Sequence, residues 1–162
     1  MAGVLDSARL RAFIAEELKV SPESVKGIVL GSHGDTMAPL PELTTVNGKP
    51  ITQLLSKEKI DALIKRTQNA GGEIVNYLKT GSAFYSPAAS VVAMVEAIIK
   101  DKKETLPCSA YAEGEYGLKG VFVGLPAVLG RGGIERITEI ALSPEAKALL
   151  ERSAEVTMES IK

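Results

Sequence analysis

Residues 105–139 read TLPCSAYAEGEYGLKGVFVGLPAVLGRGGIERITE, and the spacing of their glycines sets the fold class. Strand-like runs at about 105–112 and 120–124 flank the turn Gly114-Glu115-Tyr116-Gly117. A further strand pair spans about 126–139, with Gly130-Arg131-Gly132-Gly133 as its turn. Connections this short join antiparallel neighbours, because parallel strands need a long crossover. On the N-terminal side, Lys100, Lys102 and Lys103 close a helix over roughly 84–100, where cations suit the helix dipole. Pro87 fits the first turn of that helix. On the C-terminal side, Ser143-Pro144-Glu145 opens a terminal helix, with Ser143 as the cap and Pro144 at the first helical position.

Farther out, Ser56 caps a long helix over about 57–79 that turns Ile60, Leu63, Ile64 and Thr67 inward. Gly71-Gly72 is expected to bend or break it near the middle. Residues 25–30 read as a strand, and 37–46 as an extended segment interrupted by Pro39 and Pro41 and closed by the turn Asn47-Gly48. In the first helix, about 4–18, Leu10, Phe13, Ile14 and Leu18 share a face, and Asp6 is placed as an N-cap or first-turn acid. Helices frame the ends and strands follow one another as hairpins. The expectation is α+β, one domain over 1–162, with an antiparallel or mixed sheet and long packing helices.

With 162 residues, 45% hydrophobic, the chain can enclose a sizeable core. A net charge of -1 leaves no footprint for nucleic acid or an anionic membrane. Aromatics are 4% with no Trp, too few for base-stacking platforms. The apolar runs stop short of a membrane span, no signal peptide pattern precedes the first helix, and the lone Cys108 suits a reducing cytoplasm. Cys108 reads as a small buried hydrophobe. Nothing matches G-x-G-x-x-G after a strand or a Walker loop, and one His and one Cys far apart do not make a metal site.

Three side chains could carry chemistry. His33 is the only histidine, held in a loop between Gly31 and Gly34 at the end of a strand. Asp6 and Arg9 stand at i and i+3 on one helix face. A carboxylate on one imidazole nitrogen fixes the tautomer and stabilises the charged ring, freeing the other nitrogen to exchange a proton. A guanidinium can grip a carboxylate with two parallel hydrogen bonds. Such a set suits proton transfer to or from a hydroxy or keto acid. Each also has a plain structural alternative: Asp6 a cap, Arg9 a solvated charge, His33 a loop ring bonded to backbone. Spacing alone leaves both open, and Asp35 reads as a loop acid.

GVLDSAR at 3–9 and GSHGDTM at 31–37 resemble the two signatures of the C-terminal half of the lactate/malate dehydrogenase family. KTGSAFYSPAAS at 79–90 is similar to the segment typical of its malate dehydrogenases, particularly the lactate-dehydrogenase-like group of bacteria and archaea. Residues 100–103 through 116–118 continue the likeness, which covers essentially the whole chain.

This resemblance implies the fold of that family's C-terminal substrate and catalytic domain, and the oxidation of malate by NAD. It implies that His33 accepts the proton of the 2-hydroxyl, that Asp6 pairs with His33, and that Arg9 clamps the carboxylate beside the reacting carbon. Ala83, where lactate dehydrogenases usually carry Thr, borders the substrate side chain, and Ser82 is a polar contact in the same loop. Pro87 packs near the nicotinamide, beside His33. The helix at 57–79 resembles one that packs across a subunit contact, so a homo-oligomer is expected.

The family's N-terminal Rossmann half, with its glycine-rich loop, and the mobile loop with its arginines have no counterpart in the sequence. Met1-Ala2 directly before Gly3 reads as an isolated domain or a fragment, expected to be inactive alone and to bind no NAD by itself. A lactate dehydrogenase of similar sequence and a non-catalytic self-associating domain are the alternatives.

Overall fold

The computed structural model describes residues 1–161. Helix α1 (Ala2–Leu18) leads into β1 (Val25–Lys26), β2 (Val29–Gly31), β3 (Met37–Pro39), β4 (Thr45–Val46) and β5 (Lys49–Pro50). Helices α2 (Lys57–Gln68), α3 (Ala70–Leu78) and α4 (Tyr85–Ile99) follow. Strands β6 (Glu104–Glu113), β7 (Lys119–Gly130) and β8 (Gly133–Ile137) precede α5 (Pro144–Glu159). Every strand pairing among the described residues is antiparallel; short turns join the partners in each pair except β1–β4, which closes around the β2–β3 hairpin. The α+β expectation holds.

Strands β6, β7 and β8 form a meander with β7 central. The runs at 120–124 and 126–130 are one strand, not two, although Pro126 interrupts them. Pro126 lies directly opposite Pro107. Opposed residues in an antiparallel pair exchange both hydrogen bonds or neither, so two prolines fit a position where neither is made. Pro126 still accepts from the Thr138 amide at 2.8 Å through its carbonyl. In the β6–β7 turn, Tyr116 takes a positive φ and buries its ring; its hydroxyl accepts from the Ile140 amide at 2.9 Å.

The run at 25–30 splits between two sheets: Val25 pairs with Val46, whereas Val29 pairs with Pro39. The partner segment is not extended throughout, since a 3-10 turn at Pro41–Leu43 breaks its ladder. The helix expected over 57–79 breaks at Asn69, not at Gly71-Gly72. Asn69 leaves helical geometry (ψ 3°), and its side chain donates back to the Lys65 carbonyl at 2.9 Å, beside its own amide at 3.2 Å, a local bond that closes the helix end. Arg66 reaches over the break to Glu73 with two bonds, 2.8 and 3.0 Å, and lies 4.0 Å above the Phe13 ring. Asp6 is neither a cap nor a first-turn acid, because α1 already starts at Ala2. Ser56 and Ser143 do cap, accepting from the Lys59 and Ala146 amides at 3.4 and 3.1 Å.

The core lies on both sides of α1. Leu10, Ile14, Val25, Val29 and Ile51 pack between α1 and α2, while Val4, Ala97, Cys108 and Leu129 pack against α4 and the meander. Leu125, Val123, Leu150 and Ala154 join β7 to α5, with Leu30 and Leu40 beneath. Among the described residues no helix is long and apolar enough to cross a membrane.

Candidate active site

The first turns of α1 and the loop after β2 meet because α1 bonds directly to β2. The Val29 amide donates to Ser7 Oγ at 2.8 Å, one residue on from Asp6. Two residues beyond β2, His33 turns back onto α1, and its Nδ1 lies 2.9 and 3.0 Å from the two Asp6 oxygens. Asp6 is 1% exposed, while the His33 side chain is 52% exposed. A buried carboxylate bonded at Nδ1 assigns the proton there and leaves Nε2 for the open side. Burial pushes the Asp6 carboxyl above its ordinary range; the His33 bond and charge, then the Arg9 charge, pull it back only in part.

Arg9 is buried at 8% exposure, and its Nε finds no hydrogen-bond partner among the described residues. An unsatisfied buried guanidinium nitrogen is costly, so it invites an acceptor. A cavity of about 340 Å³ is lined by Arg9, His33, Ser82, Ala83 and Pro87, together with Met1, Ala2, Leu5 and Gly71. The residues singled out from the sequence therefore converge on one small space, with Asp6 behind His33. Ser82 comes from the loop after α3 and Pro87 from the first turn of α4.

Gly71 was missed as a wall residue. It reaches the cavity because the helix breaks at Asn69, and an added Cβ there would stand 3.9 Å from Arg9 Nη1. Ser153 and Thr157 of α5 were missed as well; both bond to Ser32, next to His33. Nothing in their spacing marks them. Asp35 opens away from this site into a separate cavity of about 750 Å³ between α2 and α5, and its carbonyl accepts from Gln68 Nε2 at 3.3 Å. Among the described residues no three His, Cys, Asp or Glu side chains cluster as metal ligands.

An acid-paired histidine beside a buried arginine, brought together by α1 and the loop after β2, can exchange a proton next to a bound carboxylate. The chain belongs to the lactate/malate dehydrogenase family, matching its alpha/beta C-terminal domain over residues 3–162. A malate dehydrogenase of Chlorobium phaeobacteroides is 57% identical over 162 residues, 100% of this chain and 52% of that protein. The solved malate dehydrogenase from Salinibacter ruber has a TM-score of 0.96 and 50% identity, covering 99% of this chain and 52% of that one. A lactate dehydrogenase from Cryptosporidium parvum, solved with lactic acid and nicotinamide adenine dinucleotide, has a TM-score of 0.94 and 41% identity, covering 98% of this chain and 52% of that one. The chain thus spans about half the length of the relatives it matches.

Proposed function

We propose that this chain, acting as one unit over residues 1–162, is the substrate-binding and proton-transferring half of an NAD-dependent malate dehydrogenase. The observation that carries the reading is the Asp6–His33 pair sharing one cavity with the unsatisfied Arg9. Arg9 grips the carboxylate beside the reacting carbon, which orients the 2-hydroxyl toward His33. Nε2 of His33 takes the hydroxyl proton, and Asp6 stabilises the imidazolium that forms. In the reverse direction the same nitrogen returns the proton to oxaloacetate. Ala83 leaves room for the rest of the substrate, with Ser82 as a polar contact.

The residues present fit only one edge of NAD. Pro87 and Ala83 offer a small apolar wall beside His33. Among the described residues no glycine-rich turn opens a helix that could hold the dinucleotide phosphates. When bound, NAD supplies the hydride acceptor. The part of the relatives beyond this match is the expected source of the phosphate site, so the chain alone is expected to be inactive. Malate is favoured over lactate by the relatives' names and by Ala83 in the cavity wall.

The test joins this chain to the unmatched half of the Chlorobium phaeobacteroides relative and follows NADH oxidation by oxaloacetate. The joined protein should turn over, the separate chain should not, and His33→Asn should lower the rate roughly 10²- to 10⁴-fold with NADH affinity kept. A His33→Asn protein that retains its rate overturns the proton-transfer role.

A further inference from the structure

The ring of His33 is half exposed, so packing does little to hold it. Glycines with positive φ flank its loop on both sides, Gly31 at 77° and Gly34 at 91°. Glycine leaves such a segment free to move. The bond to Asp6 fixes one ring nitrogen, yet it survives only if the loop backbone stays in place. We infer that Ser153 and Thr157 of α5 are the positioning residues that hold this loop and keep His33 on Asp6. The inference builds on the reading of His33 as the proton carrier.

The geometry is specific. The Ser32 amide donates to Ser153 Oγ at 2.6 Å, and Ser32 Oγ lies 2.7 Å from Thr157 Oγ1. Thr157 already donates its hydroxyl proton to the Ser153 carbonyl at 3.0 Å. Its lone pairs therefore accept from Ser32 Oγ–H, and both polar handles of Ser32 end on α5. Residues 153 and 157 stand at i and i+4, so the two hydroxyls share a face. That face is rigid: Ser153, Leu150 and Ala154 are fully buried against the core. On Gly31, a Cβ would come within 2.7 Å of Ser153 Oγ, so only glycine lets the loop sit this close to the hydroxyl. From the other side Gly124 of β7 packs directly on the Gly31 carbonyl, with no room for a side chain. The loop is thus clasped between β7 and two hydroxyls more than 120 residues away in sequence.

A tie that served only the fold would hold Ser32 without reaching the imidazole. Nuclear magnetic resonance of the 162-residue chain separates the two roles, because His33 is its single histidine and gives the only imidazole signals. Thr157→Val keeps the shape and removes the accepting hydroxyl at a half-buried site, so the core spectrum should stay unchanged. The His33 Nδ1–H signal should broaden or shift, and exchange of the Ser32 amide should quicken roughly three- to tenfold, the value of one ordinary hydrogen bond. Thr157→Ser, which retains the hydroxyl, should restore both. Ser153→Ala should give the larger effect; if it unfolds the chain, the Thr157 pair decides alone. Wild-type values for Nδ1–H and the Ser32 amide in Thr157→Val overturn the inference, as does a Thr157→Ser protein as loose as Thr157→Val. A shifted Nδ1–H in Thr157→Val beside full turnover in the joined His33→Asn protein overturns the catalytic reading and leaves the clasp standing.

Discussion

Asp6 carries an opposition between stability and chemistry. Its carboxyl is raised above the ordinary value of 3.8, first because burial disfavours the charge. Below that value both folded and unfolded chains hold the proton. As pH rises, the unfolded chain releases it first, so stability falls until the folded carboxyl also ionises and stays lower thereafter. Asp6→Asn should therefore raise the thermal midpoint at pH 7 and abolish this decline, while the joined protein loses turnover. A lower midpoint in Asp6→Asn would show that the pair with His33 outweighs the burial. Arg9 offers a second test. Arg9→Lys keeps the charge but loses the planar fork. One charge-assisted hydrogen bond is worth about 1.5–3 kcal/mol, so KM for oxaloacetate should rise roughly ten- to hundredfold with NADH affinity unchanged. An unaltered KM would remove Arg9 as the carboxylate clamp.

Among the elements, α5 shows how local signals become tertiary ones. Its start was legible: Ser143 accepts from the Ala146 amide and Pro144 follows it. Ser143→Ala should cost about 1 kcal/mol, read as a lower denaturant midpoint with an unchanged slope. No shift in midpoint would mean that Pro144 alone sets the helix start. What α5 does beyond its own turns was not legible, because Ser153 and Thr157 look like any helical hydroxyls until β2 delivers Ser32 to them. The break between α2 and α3 shows the reverse error. Gly71-Gly72 was the strongest local breaker, yet the chain bends at Asn69, whose side chain shares the Lys65 carbonyl with its own amide, while the two hydrogen bonds from Arg66 to Glu73 hold the next turn. Glycine permits a break without demanding one.

At the scale of the whole molecule, apolar side chains lie open along α3 and α4. Val75, Tyr77, Leu78, Val92 and Ile99 are all exposed, Tyr77 to 79% and Ile99 to 70%. Faces of this kind are uncommon on a lone soluble domain and mark contacts with other protein. The separate chain should sediment heavier than a monomer as concentration rises, and the double substitution Val92→Glu with Ile99→Glu should return it to monomer with its helix content kept. A monomer at every concentration would refute self-association through this face. The sequence by itself determined that the late strands pair as antiparallel hairpins and that Ser56 and Ser143 cap their helices, since turn length and cap chemistry are local properties. Spacing offered Asp6, Arg9 and His33 only as candidates, and the family resemblance joined them into one set. Only the tertiary structure decided that β1 and β2 belong to different sheets, that β7 runs unbroken past Pro126, that Gly71 borders the cavity and that α5 clasps the histidine loop. Those outcomes depend on which distant segment supplies each hydrogen-bond partner, and the packing of α1 and β7 at the centre of the core selects that segment.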